Sequence, residues 1–448
     1  MEAGIDFGTT NSSLARYTEG QMRYFALDAA NKDPRLLPSL IYVTRDHDAT
    51  IGFGAARRYI AENVGRPIRY EKRLVGMIEM AFSEADYQQE VYAYEDVEAP
   101  GRFLQSVKTV LRDETYQGTF IFKRHYRAED LIALILSHAR ARAEAELAAS
   151  LTHVVLGRPV LFSHDPAVDG EAQRTLYEAG RKAGFKEITF ELEPVAAAYA
   201  YHVQAEKRQT ALVFDFGGGT LDFTVIRLGG TQAPEVIATE GVLLGGDDID
   251  RRIIRAHEKY FGAGTTFRPG LGHQELPFPK YLTRHIQDWQ TLLELATPEN
   301  TEAIDTALRT GSNPLRIKAL KSLIINNLGF SLRNEAERLK IALSEKPFDV
   351  FKFSGPDIQI SEAYTRTRLE NQIRQTLSEI EAGLDALLRK AGLRNDQIDV
   401  ILRTGGSASI PLYIDLLETR FGADRVIAQD AFTSITAGLA IVAHERYA

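Results

Sequence analysis

Two aspartates, Asp215 and Asp222, bracket the run Phe216-Gly217-Gly218-Gly219-Thr220-Leu221. Consecutive glycines permit positive φ and remove every Cβ that would hold a ligand off the backbone. Their N–H groups can then converge on a phosphate oxygen. The flanking carboxylates offer the hard oxygens that phosphate-bound Mg²⁺ takes, often through water. A glycine-rich hairpin with two solvated aspartates has the same letters, and one short glycine motif does not decide between the two. A second copy shifts the balance: Ile5-Asp6-Phe7-Gly8-Thr9-Thr10-Asn11-Ser12 repeats the grammar of strand, Asp, Phe-Gly and small hydroxyl residues. Two matched loops far apart in one chain predict a duplicated fold that pinches a ligand between its halves.

These loops need strands on both sides. Apolar residues enter the second loop from Ala211 and leave it through Val225, Ile226 and Leu228, which predicts strand, turn, strand. A further strand over 398–403 ends in Thr404-Gly405-Gly406-Ser407, with a helix from near Pro411. Such a turn presents N–H groups to an anion or a sugar edge. Glu193-Pro194 opens a helix of small residues, and Glu193 stands where the macrodipole favours an anion. Helices are expected over 128–149, 170–183, 331–344 and 434–446, with His138 a helix-face residue and no ligand. The strand at 153–160 is broken by Pro159, and a helix with Ile249, Ile253 and Ile254 inward follows Gly245-Gly246-Asp247-Asp248. Strands at 348–353 and 357–360 precede a long helix expected from Ser361 into the 380s. The stretch 262–330 has weak periodicity and reads as an insertion, Gly52-Phe53-Gly54 as a turn, and Lys72, between Glu71 and Arg73, as a surface group.

Composition narrows the classes. The 448 residues allow two sizeable cores, and 44% apolar with 25% charged residues is ordinary for a globular chain. A net charge of -8 argues against nucleic-acid or anionic-membrane partners. The absence of cysteine excludes disulfides, thiolate metal sites and cysteine nucleophiles. No run has the length to span a bilayer and the N-terminus lacks a signal-peptide pattern, so a cytoplasmic location is expected. There is no G-x-x-x-x-G-K-[ST] loop, so nucleotide binding must use another cradle.

In order along the chain, Asp6 to Ser12, Lys72-Arg73-Leu74-Val75-Gly76, Glu193 to Ala198, Asp215 to Asp222, Leu244 to Asp248 and Gly405-Gly406-Ser407 resemble the nucleotide-binding half of DnaK-type heat-shock chaperones, within the superfamily of actin and sugar kinases. The resemblance implies a two-lobed α/β ATPase fold, each lobe a mixed β-sheet flanked by helices. Lobe I would cover 1–209 with a peripheral subdomain at about 41–124, and lobe II 210–430 with one at about 245–375. Residues 431–448 would return to lobe I as a helix. It further implies ATP or ADP with Mg²⁺, Lys72 beside the γ-phosphate, Asp6, Asp215 and Asp222 about the metal, and Glu193 and Thr220 as further active-site positions. Phosphate and nucleotide contacts fall to Gly8, Thr9, Thr10, Asn11, Gly217, Gly218, Gly219, Gly245, Gly246, Asp247, Glu337, Lys340, Ser344, Gly405, Gly406 and Ser407. Pro159 matches the family proline that links the lobes.

Departures from the pattern concern the base. Ile341 and Ser409 replace two arginines that stack on adenine, contacts that cation–π estimates put at roughly 0.5 to 2 kcal/mol each. Arg403 reads as structural, and Phe432 replaces an acidic residue. The sequence stops before the family's linker and peptide-binding domain and so resembles the shorter YegD-like group. A protein partner would then use a different surface, such as 262–330. The expected function is an ATP-hydrolysing conformational switch. The alternatives are a sugar-type kinase of the same superfamily, for which no acceptor pocket or base is identifiable, and a non-hydrolysing actin-like assembly module.

Overall fold

The computed structural model describes residues 1–66, 69–82, 85–270, 274–430 and 433–448, leaving aside the side chains of 70, 72–82, 85–95 and 293. Two compact units emerge: Met1–Arg58 with Arg102–Ile249 and Glu370–Ala448, and Tyr59–Gly101 with Asp250–Leu369.

The first unit contains the duplication as a repeated sheet topology. In one sheet the strand order is Glu187–Leu192, His153–Arg158, Glu2–Phe7, Asn11–Thr18, Gln21–Tyr24. In the other it is Val426–Ala428, Val400–Thr404, Gln209–Phe216, Leu221–Leu228, Glu235–Val242. Each has a central strand, an antiparallel meander on one side and two parallel strands on the other. Central strands buried on both faces are nearly continuous in apolar residues, as in Ala211-Leu212-Val213-Phe214.

Helices Glu193–His202 and Ser434–Tyr447 share a core with residues of both sheets, including Val155, Val213, Ile226 and Leu402. Small residues set how closely they approach. A Cβ on Gly438 would stand 1.7 Å from the Ala196 carbonyl oxygen, and one on Gly4 would stand 2.2 Å from the Ala440 nitrogen. Ala196, Ala197 and Ala198 are buried for the same reason. His138 Nε2 donates to the Leu27 carbonyl at 3.1 Å from its helix Ala128–Leu147, a structural contact as its position implied.

The second unit contains the hairpin Tyr70–Phe82 with Ala85–Asp96, helices Pro298–Thr310, Pro314–Ile325 and Gly329–Glu345, and the hairpin Phe348–Gly355 with Ile358–Thr365. The last hairpin corrects the helix expected from Ser361. Ile358, Ile360 and Tyr364 alternate inward and pair in register with the facing strand, so helix begins only at Arg366–Ile373 and Thr376–Ala391. Tyr59, Trp289 and Phe330 form an aromatic cluster with ring centroids 5.1 to 6.2 Å apart. Among the described residues no helix is long and apolar enough to cross a membrane.

Candidate functional site

The first unit gathers its carboxylates where the two central strands end. Asp6 closes Glu2–Phe7, and in the second hairpin Asp215 lies directly opposite Asp222. Glu193 opens its helix beside them, with Pro194 fixing the first turn. Oxygens of Glu193, Asp215 and Asp222 all lie within 4.8 Å of one another, and all three residues are buried.

A lysine that the sequence reading passed over completes the cluster. Lys108 lies on the 3-10 turn Val107–Arg112, entered through Ser106 at φ 56°, and its Nζ donates to Glu193 Oε1 at 2.5 Å. The two side chains are only 7% and 8% exposed. Its local signature was available: Lys108-Thr109-Val110-Leu111 repeats the lysine followed by apolar residues two and three places later that singles out Lys72-Arg73-Leu74-Val75. The side chain of Lys72 lies outside the described residues, as does Phe432.

Burial and mutual repulsion leave three of these carboxylates, Asp6, Asp215 and Asp222, hard to ionise. Burial, then the Glu193 charge, pushes Asp6 up to about 7 against the pull of Lys108. Burial and Glu193 likewise push Asp222 up to about 7, opposed by the Val160 N–H, the Thr220 side chain and Lys108. Asp215 rises well above the usual range through burial, Glu193, Asp222 and Asp6. Asp222 Oδ1 accepts from the Val160 N–H at 2.8 Å, whereas Oδ2 is buried with no hydrogen-bond partner among the described residues. A buried orphan carboxylate oxygen beside two other carboxylates fits a hard divalent cation such as Mg²⁺. Pro159 immediately precedes the amide that holds Asp222.

The glycines bring the loops together. A Cβ on Gly218 would meet Thr10 Oγ1 at 2.3 Å, and one on Gly219 would meet Thr9 Oγ1 at 2.7 Å. Thr9 and Thr10 therefore occupy the space that side chains on the second loop would fill. The first loop is braced from behind: Ser39 Oγ donates to the Gly8 carbonyl at 2.8 Å, and its N–H donates to Thr10 at 2.8 Å. Gly8 itself must lack a side chain, since a Cβ would stand 2.2 Å from the Asn11 carbonyl oxygen.

Two further loops dock on the second. The Gly246 N–H donates to the Gly217 carbonyl at 3.0 Å and the Asp247 N–H to Gly218 at 2.9 Å, while a Cβ on Gly245 would stand 2.2 Å from the Gly218 oxygen. Ser407 Oγ donates to the Gly217 carbonyl at 3.1 Å. Gly405, at φ +82°, packs against the Phe216 carbonyl, and Gly406 follows it into the turn Gly406–Ser409. Thr220 closes the loop, its carbonyl accepting from the Gly217 N–H at 3.0 Å.

The three nucleotide-contact candidates of the helix Gly329–Glu345 belong to the second unit and are engaged there. Lys340 Nζ lies 2.8 Å from Asp250 Oδ1, Arg333 Nη1 lies 3.0 Å from Glu337 Oε2, and Ser344 Oγ donates to the Lys340 carbonyl at 3.0 Å. Ile341 is 54% exposed. Arg403 Nη1 donates to the Ala408 carbonyl at 2.6 Å and braces its turn, the structural role expected of it.

A family model described as Hsp70 protein matches residues 2–267 and 326–445. Both loops, the carboxylates, Lys108 and the helix carrying Lys340 fall within it, and most of the stretch that read as an insertion falls in the gap. Matched over well more than half its length, the chain belongs to the Hsp70 family of nucleotide-binding, chaperone-like ATPases, whose fold is the actin-like pair of α/β lobes.

Proposed function

We propose that the chain binds ATP with Mg²⁺ and hydrolyses it slowly, with water as the acceptor, and that the bound nucleotide's state sets the conformation of the protein. The observation that carries this reading is the Lys108–Glu193 pair set among Asp6, Asp215 and Asp222 at the end of two glycine loops. Phosphoryl transfer needs placement and charge neutralisation more than covalent chemistry. Asp215, Asp222 and Glu193 would hold the cation, which supplies charge neutralisation on the phosphates. Thr9, Thr10 and the N–H groups of the two loops orient the polyphosphate. Lys108 holds Glu193 in place by its 2.5 Å contact, and Glu193 with Asp6 orients the attacking water. A conformational switch follows only if nucleotide binds the alternative states with different affinity.

Ile341 and Ser409 stand where the family resemblance places stacking arginines, so weaker adenine binding would follow. The test is calorimetric titration with MgATP, MgADP and MgGTP, then single-turnover hydrolysis by wild type, Lys108→Ala and Lys72→Ala. Binding with hydrolysis lost only in Lys108→Ala supports the assignment. Loss only in Lys72→Ala returns the role to Lys72, and no nucleotide binding by the wild type overturns the reading.

A further inference from the structure

Arg112 closes the 3-10 turn Val107–Arg112, four residues after Lys108. Lys108 is spent on Glu193, but Arg112 is not spent on any one group: among the described residues it has no ion pair and no hydrogen bond. The guanidinium still reaches the middle of the site. Its Nη2 lies 2.5 Å from the position of a Cβ built on Gly219, and Thr9 Oγ1 lies 2.7 Å from that same point. The absent side chain of Gly219 therefore leaves room for a guanidinium against the second loop and beside the hydroxyl of the first. Asp222, Asp248, Asp247 and Glu193 attract it from a distance, while burial opposes its charge.

A partly buried guanidinium with all five donors uncommitted is poorly served by its own protein. Its planar fork matches two oxygens of a phosphoryl group, and such charge-assisted pairs are among the strongest hydrogen bonds. Position selects which phosphoryl group. Arg112 shares a turn with Lys108 and feels the charges of Asp222, Asp248, Asp247 and Glu193, so its fork stands among the carboxylates about the second loop, where the transferred group would lie. Building on the ATP reading above, we infer that Arg112 grips the terminal phosphoryl group, making the site select a nucleoside triphosphate over the diphosphate.

Calorimetric titration of wild type, Arg112→Ala, Arg112→Lys and Gly219→Ala with MgATP and with MgADP tests this. Loss of charged hydrogen bonds should weaken MgATP binding by about 10- to 100-fold in Arg112→Ala, with MgADP affinity held within about twofold. Arg112→Lys should fall between, because lysine is a point charge without the fork. Gly219→Ala, whose methyl would meet both Nη2 and Thr9 Oγ1, should weaken both nucleotides and serves as the non-selective control against which Arg112→Ala is compared. Guanidinium ion added at millimolar concentration should restore MgATP binding to Arg112→Ala and leave MgADP binding unchanged. Equal losses for both nucleotides, or none, in Arg112→Ala overturn the inference while leaving the ATP reading intact. Absence of all nucleotide binding in the wild type overturns both.

Discussion

Replacing Lys108 with methionine keeps the apolar stem and removes one charge from the centre of the site. Its Nζ lies 2.5 Å from Glu193 Oε1 with both side chains nearly inaccessible. Removing one partner of such a buried pair costs about 3–5 kcal/mol when the other stays ionised. The neighbouring carboxylates make that cost depend on pH. Asp6 and Asp222 titrate at about 7, and Lys108 holds Asp6, Asp215 and Asp222 down. An acid whose folded pKa is raised above its unfolded value contributes stability that is complete below the unfolded value and is lost as pH rises through the folded one. In acid Asp6 and Asp222 are protonated with or without the lysine, so the variant should lose only its pairing with Glu193, the smaller of the two penalties. Above pH 7 wild type ionises Asp6 and Asp222 beside Lys108 and the variant must do so without it, so the loss should be larger, towards the upper end of about 3–5 kcal/mol. Urea unfolding without Mg²⁺ at pH 5.5 and pH 8.5, followed by circular dichroism, gives the two differences from shifts in midpoint at constant slope. A penalty that is equal at the two pH values, or larger in acid, would refute the claim that Lys108 neutralises this cluster.

Three other expectations follow from particular contacts. Because Asp222 titrates at about 7 and has a buried orphan oxygen, Mg²⁺ titrated into the apo protein at pH 7 should release protons; identical apparent heats in buffers of different ionisation enthalpy would count against it. Gly438→Ala places a methyl 1.7 Å from the Ala196 carbonyl and should destabilise by about 3 kcal/mol or more, the upper range for overpacking, read as a lowered urea midpoint. His257, stacked 3.8 Å from Phe351, is lowered by burial, which outweighs the Ile253 carbonyl and Glu362 and is aided by Arg368 and Lys259. Its stabilising contribution should be complete above 6.5 and fade as pH falls through the lower folded value, and an imidazole proton resonance titrating at or above 6.5 would reject this.

The two glycine loops were legible in the sequence because packing restricts them: only glycine accepts the approach of Thr9 and Thr10 at 218 and 219. The repeated Asp-Phe-Gly grammar likewise carried the duplicated strand order. Lys108 was harder to read because its partner lies 85 residues away and its turn has no helical or strand period to mark an inward face. Lys340 shows the same limit from the other side. Its face of the helix was readable from spacing, whereas its ion pair with Asp250 is a tertiary contact with no local trace. Ser361 to Thr365 failed for a different reason. Helix formers follow at once, and the alternation of Ile358, Ile360 and Tyr364 becomes decisive only opposite the strand Phe348–Gly355.

Duplication by itself would give two equal sites, and the register shows why there is one. Asp6 faces Ser13 across the first hairpin, while Asp215 faces Asp222 across the second. Ser13 turns away from metal chemistry altogether, its hydroxyl bonded to that of Thr436 on the C-terminal helix. The second hairpin thus contributes two carboxylates and three glycines, the first a single carboxylate and two threonines. A cation would be drawn towards the second hairpin by charge, and the first would supply hydroxyl groups beside it. Ser13→Asp would restore the symmetry of the pattern, but it would bury a fifth carboxylate where, among the described residues, Lys108 and Arg112 supply the positive charge. Burial of an unpaired carboxylate is costly enough that such a group takes up a proton instead. The asymmetry of the two hairpins is therefore what lets four carboxylates, one paired lysine and one uncommitted arginine share a single site.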